Sequence, residues 1–156
     1  MKKIVMLIAL IFIGASVYAQ DLQYAQLSES QRKDLPKDKM IKSYKANNGK
    51  VYSIGDEVML GSPTADFLGQ NIMAYIVRGN AVMGSKQSGA TAVIKNFQII
   101  NSASLSMVAP TACVIAMRKM GKLPKLMVQV TIKSDKGTFK VLDLDGALMA
   151  GEIANQ

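Results

Sequence analysis

The sequence predicts an all-β fold, mainly antiparallel, built as a small barrel or sandwich of the SH3-like or OB-like kind with a short C-terminal helix. From residue 40 onward, short runs of β-forming residues alternate with Gly, Asn, Asp and Pro about every 8–12 residues. No run carries the long helical pattern that a βαβ crossover needs. Hydrophobic residues make up 49% of the 156-residue chain, which is enough for one ordinary domain.

The first half of this domain contains four runs that predict strands and one hairpin turn. The turn is Asn47-Asn48-Gly49, because Asn-Gly tolerates the positive φ angles of tight hairpins. In residues 72–77 both alternating faces are apolar, which predicts a strand covered on both sides. The predicted strands are residues 40–46, 51–54, 57–60 and 72–77.

The second half predicts further strands, two long connections and a terminal helix. Residues 79–89 hold three glycines and little periodicity, and residues 101–110 are rich in serine, so both segments predict loops. Asp145 is the predicted N-cap of a C-terminal helix that carries Glu152. The predicted strands are residues 91–100, followed by an antiparallel meander of residues 111–119, 126–133 and 138–143.

The beginning of the chain has the three parts of a secretory signal. A cationic start precedes an apolar run at residues 4–13, and compact residues stand at Val17 and Ala19 before Gln20. The apolar run is too short for a comfortable membrane span, and no cysteine near the cleavage point offers a lipid attachment. We therefore divide the chain into a signal peptide at residues 1–19, a polar, loosely held segment at 20–39 and a single β-rich domain at 40–156. The expected location is the periplasm or the cell exterior, without a lipid anchor or a stable membrane anchor.

Composition excludes several kinds of site. The chain has no histidine and a single cysteine, so it cannot build a Ser-His-Asp or Cys-His nucleophile, a zinc site of His and several Cys, or an internal disulfide. We predict no cofactor, no metal site and no catalytic residue. Cys113 lies in an apolar, strand-like run, which predicts a buried thiol.

The whole chain has a net formal charge of +8, and its positive charges are concentrated in the last third. Two interpretations stay open for this cluster: a solvated surface that aids solubility, or a face for an anionic ligand. Two turns at opposite ends of a meander cannot form one compact patch. Aromatic residues are sparse among these cations, and an exported protein rarely meets nucleic acid, so we expect no nucleic-acid partner. The candidate residues are Arg118, Lys119, Lys122, Lys125, Lys133, Lys136 and Lys140.

Carboxylates provide the alternative enzymatic hypothesis. A small glycan hydrolase needs only two positioned carboxyl groups, and these can lie far apart in the chain. Most of the available aspartates stand beside turns, where Asp serves local hydrogen bonding. The fragment Asp143-Leu144-Asp145-Gly146 is similar to part of a calcium loop but has too few ligands for one.

Two short motifs carry a family resemblance. They are Asn48-Gly49-Lys50-Val51-Tyr52-Ser53-Ile54-Gly55-Asp56 and Ala147-Leu148-Met149-Ala150-Gly151-Glu152-Ile153. With the leader ending at Tyr18-Ala19-Gln20, they resemble a group of small, uncharacterised exported β-rich proteins of Gram-negative bacteria. The resemblance implies export and a β domain, and it implies no activity or catalytic residue.

The function that these observations predict is binding without catalysis. We expect an exported β-barrel module whose partner is an envelope protein or an anionic polymer such as an acidic glycan. The alternatives are the carboxylate-dependent glycan hydrolase and a structural accessory of a larger envelope complex.

Overall fold

The computed structural model describes residues 41–154. The predicted signal peptide at residues 1–19 and the predicted polar segment at 20–39 lie outside this range. Within it the protein is mostly antiparallel β-sheet with a short helix near the C-terminal end, as the sequence predicts, and it has two further short helices that the sequence did not predict. The strands are β1 (Ser43–Lys45), β2 (Val51–Ser53), β3 (Glu57–Leu60), β4 (Ala65–Phe67), β5 (Gln70–Arg78), β6 (Ala81–Met83), β7 (Thr91–Asn101), β8 (Leu126–Ser134), β9 (Gly137–Val141) and β10 (Ile153–Ala154). The helices are α1 (Leu105–Val108), α2 (Thr111–Met120) and α3 (Leu144–Ala150), with 3-10 turns at Ser85–Gln87 and Ser102–Ser104.

The main sheet is a curled half-barrel. Seven strands follow one another in the order β10-β3-β7-β8-β9-β5-β4, and β6 joins by pairing with β5. The longest pairing joins β7 to β8 in antiparallel register, from Val93 opposite Lys133 to Asn101 opposite Leu126. This pairing keeps β8 extended over its nine residues, so its two ends lie far apart.

Strands β1 and β2 form a separate two-stranded hairpin. Its turn contains Gly49 at φ +85°, which is the positive φ angle expected for the Asn-Gly turn predicted here. Ile41 forms an isolated antiparallel bridge with Phe97 of β7, so the hairpin packs against the main sheet.

Strand β5 is covered on both faces, as predicted. Every residue from 72 to 77 is buried, and α2 packs along the strand. The thiol of Cys113 on α2 lies 3.6 Å from the carbonyl oxygen of Met73 on β5 and donates to it. The prediction that Cys113 is buried is therefore confirmed.

The strand predicted at residues 111–119 is wrong: this segment is helix α2. Its buried residues are Cys113, Val114, Ala116 and Met117, which recur at the spacing of a helix face and not at the alternate spacing of a strand. Pro110 precedes the first turn, and alanine, methionine, arginine and lysine favour helix in the rest. The meander therefore consists of β7, β8 and β9, with α1 and α2 inserted between the first two.

Three smaller predictions need correction at the element boundaries. The loop predicted at residues 79–89 contains β6, which forms a tight hairpin with β5. The N-cap of α3 is Asp143, whose side chain accepts a hydrogen bond from the amide of Gly146, and Asp145 lies in the first turn. Glu152 follows the helix, because Gly151 ends α3 in the left-handed conformation at φ +81°.

Candidate functional site

A cleft of about 600 Å³ opens beside the end of α2, the loop that follows it and the beginning of α3. One part of its lining is apolar and rich in methionine and leucine. The other part carries hydroxyl, amide and carboxyl groups. The apolar part includes Met117, Met120, Leu123, Leu126, Leu148 and Met149. The polar part consists of Tyr44, Asn47, Asn48, Tyr75, Asp143 and Asp145, and Lys122 also lines the cleft.

The β1–β2 hairpin is fastened to α3 at the polar side of the cleft. The hydroxyl of Tyr44 donates a hydrogen bond to one carboxylate oxygen of Asp145. The backbone amide of Asn47 donates to the other oxygen at 2.8 Å. Both oxygens of Asp145 are therefore engaged in holding the hairpin in place.

Asp143 begins α3 and is only 6% exposed. Burial raises the pKa of its carboxyl group to about 7, and the negative charge of Asp145 adds to the rise. Hydrogen bonds from the backbone amides of Gly146 and Val128 act in the opposite direction. The cleft therefore contains a carboxyl group that changes charge near neutral pH.

Tyr75 brings a phenol to the same part of the cleft. Only 5% of the surface of this residue is exposed. Its backbone is hydrogen-bonded to Glu152 and Leu142, but its hydroxyl has no hydrogen-bond partner among residues 41–154. Burial raises the pKa of this phenol, and the charges of Asp143 and Glu152 contribute.

Gly146 allows Tyr75 and Asp143 to come together. A Cβ at position 146 would lie 2.3 Å from Cε1 and 2.8 Å from Cζ of Tyr75, and 2.9 Å from Oδ2 of Asp143. Any side chain here would displace the phenol or the carboxyl group. Glycine in the middle of a helix costs roughly 1 kcal/mol relative to alanine, so its presence is explained by this close approach.

Glu152 does not line the cleft, but it binds the strand that carries Tyr75. None of its surface is exposed, and it accepts hydrogen bonds from the amide of Ala74 at 2.5 Å and the amide of Tyr75 at 2.8 Å. The hydroxyl of Thr64 donates to the same carboxyl group at 2.5 Å. Consecutive amides of a regular strand point in opposite directions, and both can reach one carboxylate here because the pairing of β5 shifts register between Met73 and Val77. Burial raises the pKa of Glu152, whereas these donors lower it.

The seven predicted basic residues fall into two separate groups. Arg118 and Lys119 lie in the last turn of α2, and Lys122 and Lys125 lie in the loop before β8. Lys133, Lys136 and Lys140 lie at the β8–β9 hairpin. Because β8 is nine residues long, the two groups are roughly 30 Å apart at about 3.3 Å per residue.

The two groups of basic residues have different environments. Lys122 lines the cleft, and with Arg118 it also lines a shallower depression of about 420 Å³. At the hairpin, the ammonium of Lys136 donates to the carbonyl oxygen of Lys86 at 3.1 Å. The guanidinium of Arg78 lies 6.0 Å from the ring centroid of Phe139. Arg78 and Lys86 thus join the hairpin group, and the sequence pattern did not include them.

The two cleft aspartates are the carboxyl groups to compare with a glycosidase pair. Such enzymes place their carboxyl groups on either side of the scissile bond. Asp143 and Asp145 are two residues apart at the beginning of one helix. Among residues 41–154, no three His, Cys, Asp and Glu side chains come together as metal ligands. In the same part of the chain, no helix is long and apolar enough to cross a membrane.

Comparison with protein-family models, with curated proteins and with solved structures finds no match to this chain.

Proposed function

We propose that this protein is an exported, non-catalytic binding module whose ligand occupies the cleft. The observation that carries the proposal is the cleft itself: about 600 Å³ of space with an apolar lining and a few polar groups gathered on one side. Small-molecule sites have volumes of roughly 300–1,000 Å³ and this same distribution of groups. The location outside the cytoplasm rests on the signal peptide predicted at residues 1–19.

The absence of a catalytic role is supported by what the cleft carboxyl groups already do. Asp145 uses both oxygens to hold the β1–β2 hairpin, and Asp143 caps α3. A nucleophile or a general base needs an oxygen that is free to reach the substrate. Asp145 has no such oxygen, and among the described residues the lining of the cleft contains no third carboxyl group that could work with Asp143.

Occluding the cleft tests the proposal. Gly121 lines the cleft, and a Cβ built on it meets no atom within 4 Å, so Gly121→Trp adds bulk without a clash at Cβ. We expect the wild-type protein to bind the apolar fluorophore N-phenyl-1-naphthylamine saturably. Gly121→Trp should weaken this binding at least tenfold without lowering the melting temperature.

The matched control places the same side chain on an exposed strand. Gln98 lies in β7 and does not line the cleft, so Gln98→Trp should bind the fluorophore like the wild type. Equal binding by Gly121→Trp and the wild type, or no saturable binding at all, would contradict the proposal.

A second candidate function is binding of an anionic polymer at the β8–β9 hairpin. It is favoured by the observation that Arg78 and Lys136 are held in defined positions, one against Phe139 and one on the carbonyl of Lys86. Within residues 41–154, neither side chain forms an ion pair with a carboxylate. A cation whose position is already fixed loses less conformational entropy when it binds an anion.

The two basic groups provide controls for one another. Binding of an acidic polysaccharide should weaken steeply with salt, because screening is effective beyond roughly 8 Å at physiological ionic strength. Arg78→Glu with Lys136→Glu should abolish this binding. Lys119→Glu with Lys122→Glu and Lys125→Glu should reduce it only slightly. The opposite pattern would move the anionic face to the end of α2, and no binding at low salt would exclude this candidate.

A further inference from the structure

We propose that the ligand of the cleft has an apolar body and ends in a hydroxyl or amino group, which is received by Asp143 and Tyr75 at the buried end. The inference rests on the proposed function and assigns the chemical class of its ligand.

The first support is the phenol of Tyr75. Its side chain is more than nine-tenths buried and lines the cleft, yet its hydroxyl has no hydrogen-bond partner among residues 41–154. The hydroxyl oxygen itself is open to the cleft, because the fully buried, unpartnered side-chain atoms of the described chain belong to Ser88 and Gln129. A ligand group that enters the cleft can therefore reach the phenol and replace water as its partner.

The second support is the proximity of Asp143. Oδ2 of Asp143 and Cζ of Tyr75 both lie within 3 Å of the place that a Cβ on Gly146 would occupy. The carboxyl group accepts hydrogen bonds from the backbone amides of Gly146, at 3.3 Å, and Val128, whereas a carboxylate has about four lone-pair sites. The carboxyl group of Asp143 therefore has lone pairs left for a ligand, and it lies beside the phenol of Tyr75, whose hydroxyl has no partner in the described chain.

The chemistry of these two groups selects a donor. A ligand hydroxyl can donate to Asp143 and accept from Tyr75, and a protonated amine can donate to both. A ligand carboxylate has no proton to donate and would meet the negative charges of Asp143 and Asp145. Tyr44 already donates to Asp145, so it does not compete for the ligand.

The apolar part of the lining defines the rest of the ligand. Methionine and leucine side chains adapt to an unbranched apolar chain without a fixed shape. Lys122 is the cation that lines the cleft, and it is exposed. A carboxylate-terminated ligand would have to place its charge there and its apolar chain toward the carboxyl groups.

Three ligands with the same ten-carbon chain test the inference: decan-1-ol, decylamine and decanoate. Each competes with N-phenyl-1-naphthylamine for the wild-type protein at about pH 8, where Asp143 is mostly ionised. We expect the alcohol and the amine to displace the fluorophore at concentrations at least tenfold lower than decanoate, because hydrogen bonds to a charged acceptor are the stronger ones. Decanoate binding as well as the alcohol or better would overturn the inference.

Two conservative variants separate recognition from structure. Asp143→Asn keeps a good N-cap residue and removes the charge, so it should raise the affinity for decanoate and reduce the tenfold preference. Tyr75→Phe removes a hydroxyl that the protein itself leaves unpaired, so it should weaken decan-1-ol binding several-fold with unchanged stability. Unchanged head-group preference in both variants would overturn the inference.

The two proposals fail in different ways. If the fluorophore binds saturably and is lost in Gly121→Trp, but the three ligands compete equally, only the ligand class is wrong. If the fluorophore does not bind, the cleft is not a ligand site, and both proposals fail.

Discussion

The hydroxyl of Tyr44 donates a hydrogen bond to the carboxylate of Asp145, 101 residues further along the chain. Tyr44 is fully buried in the β1–β2 hairpin, and Asp145 stands in the first turn of α3. This bond and the neighbouring bond from the Asn47 amide hold the hairpin beside the cleft. The polar side of the cleft therefore depends on a contact between the two ends of the described chain.

Removing this hydroxyl should destabilise the protein without unfolding it. Tyr44→Phe keeps the buried ring and loses one hydrogen bond to a carboxylate, which predicts a loss of about 1–2 kcal/mol in the free energy of unfolding. Asp145 is half-buried, so water can replace part of the lost bond. Urea denaturation measures the change.

Tyr52→Phe is the matched control in the same hairpin. The Tyr52 hydroxyl accepts a hydrogen bond from the side-chain amide of Asn48 at 3.2 Å, and neither partner is charged. Its loss should cost less than that of Tyr44. An equal or larger loss in Tyr52→Phe would show that the Tyr44–Asp145 bond does not fasten the hairpin.

Asp143 should make stability depend on pH in the acid-to-neutral range. Its carboxyl pKa is about 7 in the folded protein and 3.8 in a model peptide, so between these values the folded state binds more protons than the unfolded state. Stability therefore falls as pH rises through this window and is constant above it, with a total contribution of up to about 4 kcal/mol.

Asp143→Asn should remove that part of the pH dependence. Asparagine still caps α3 and carries no charge. The stability of the variant relative to the wild type should therefore increase from about pH 4 to about pH 7, as measured by urea denaturation at several pH values. A difference that stays constant over this range would contradict the raised pKa of Asp143.

Glu152 should be among the most sensitive positions in the protein. Glu152→Ala leaves the buried amides of Ala74 and Tyr75 without their acceptor, which predicts a loss of about 3 kcal/mol or more. Glu152→Gln keeps one oxygen and should lose about half as much. Glu57→Ala, at an exposed residue of β3, is the control and should change little. Equal stability of Glu152→Ala and the control would refute the supporting role.

Cys113 should react slowly with thiol reagents. Burial raises the pKa of its thiol to about 11, and the charge of Glu152 adds to the rise, so little thiolate exists at neutral pH. We expect the rate of labelling of the native protein to equal the rate at which local or global unfolding exposes the thiol. In guanidinium chloride, labelling should be immediate. Rapid labelling of the native protein would show that α2 does not cover β5 as described.

Sequence patterns predicted those parts of the fold that depend on local periodicity and turn chemistry. The apolar run of β5 and the Asn-Gly turn each have a local cause, and each lies where it was predicted. Strand β8 also lies where it was predicted, with both of its faces buried from Met127 to Val130. Helix α2 was predicted as a strand because Cys-Val-Ile favours strands locally. Its burial against β5 and the good helix-forming residues around it decided otherwise.

The cleft could be predicted only in part. Asp143 and Asp145 were noticed as a pair, and glycine at position 146 inside a predicted helix was a usable signal of close packing. Tyr44 and Tyr75 were missed, because their positions follow from contacts with Asp145 and Glu152 that span 101 and 77 residues. The basic residues were grouped by sequence proximity, and the length of β8 separates them.

The methionine methyl groups allow the most direct test of the cleft as a ligand site. Met117, Met120, Met127 and Met149 line it, whereas Met59 on β3 and Met83 on β6 lie elsewhere. Met107 is 79% exposed and reports non-specific adsorption of an apolar compound. In a methyl NMR titration of carbon-13-methionine-labelled protein with decan-1-ol, we predict saturable shifts of the cleft methionines and unchanged Met59, Met83 and Met107 signals. Shifts confined to Met107, or spread evenly over all methionines, would contradict a ligand site in the cleft.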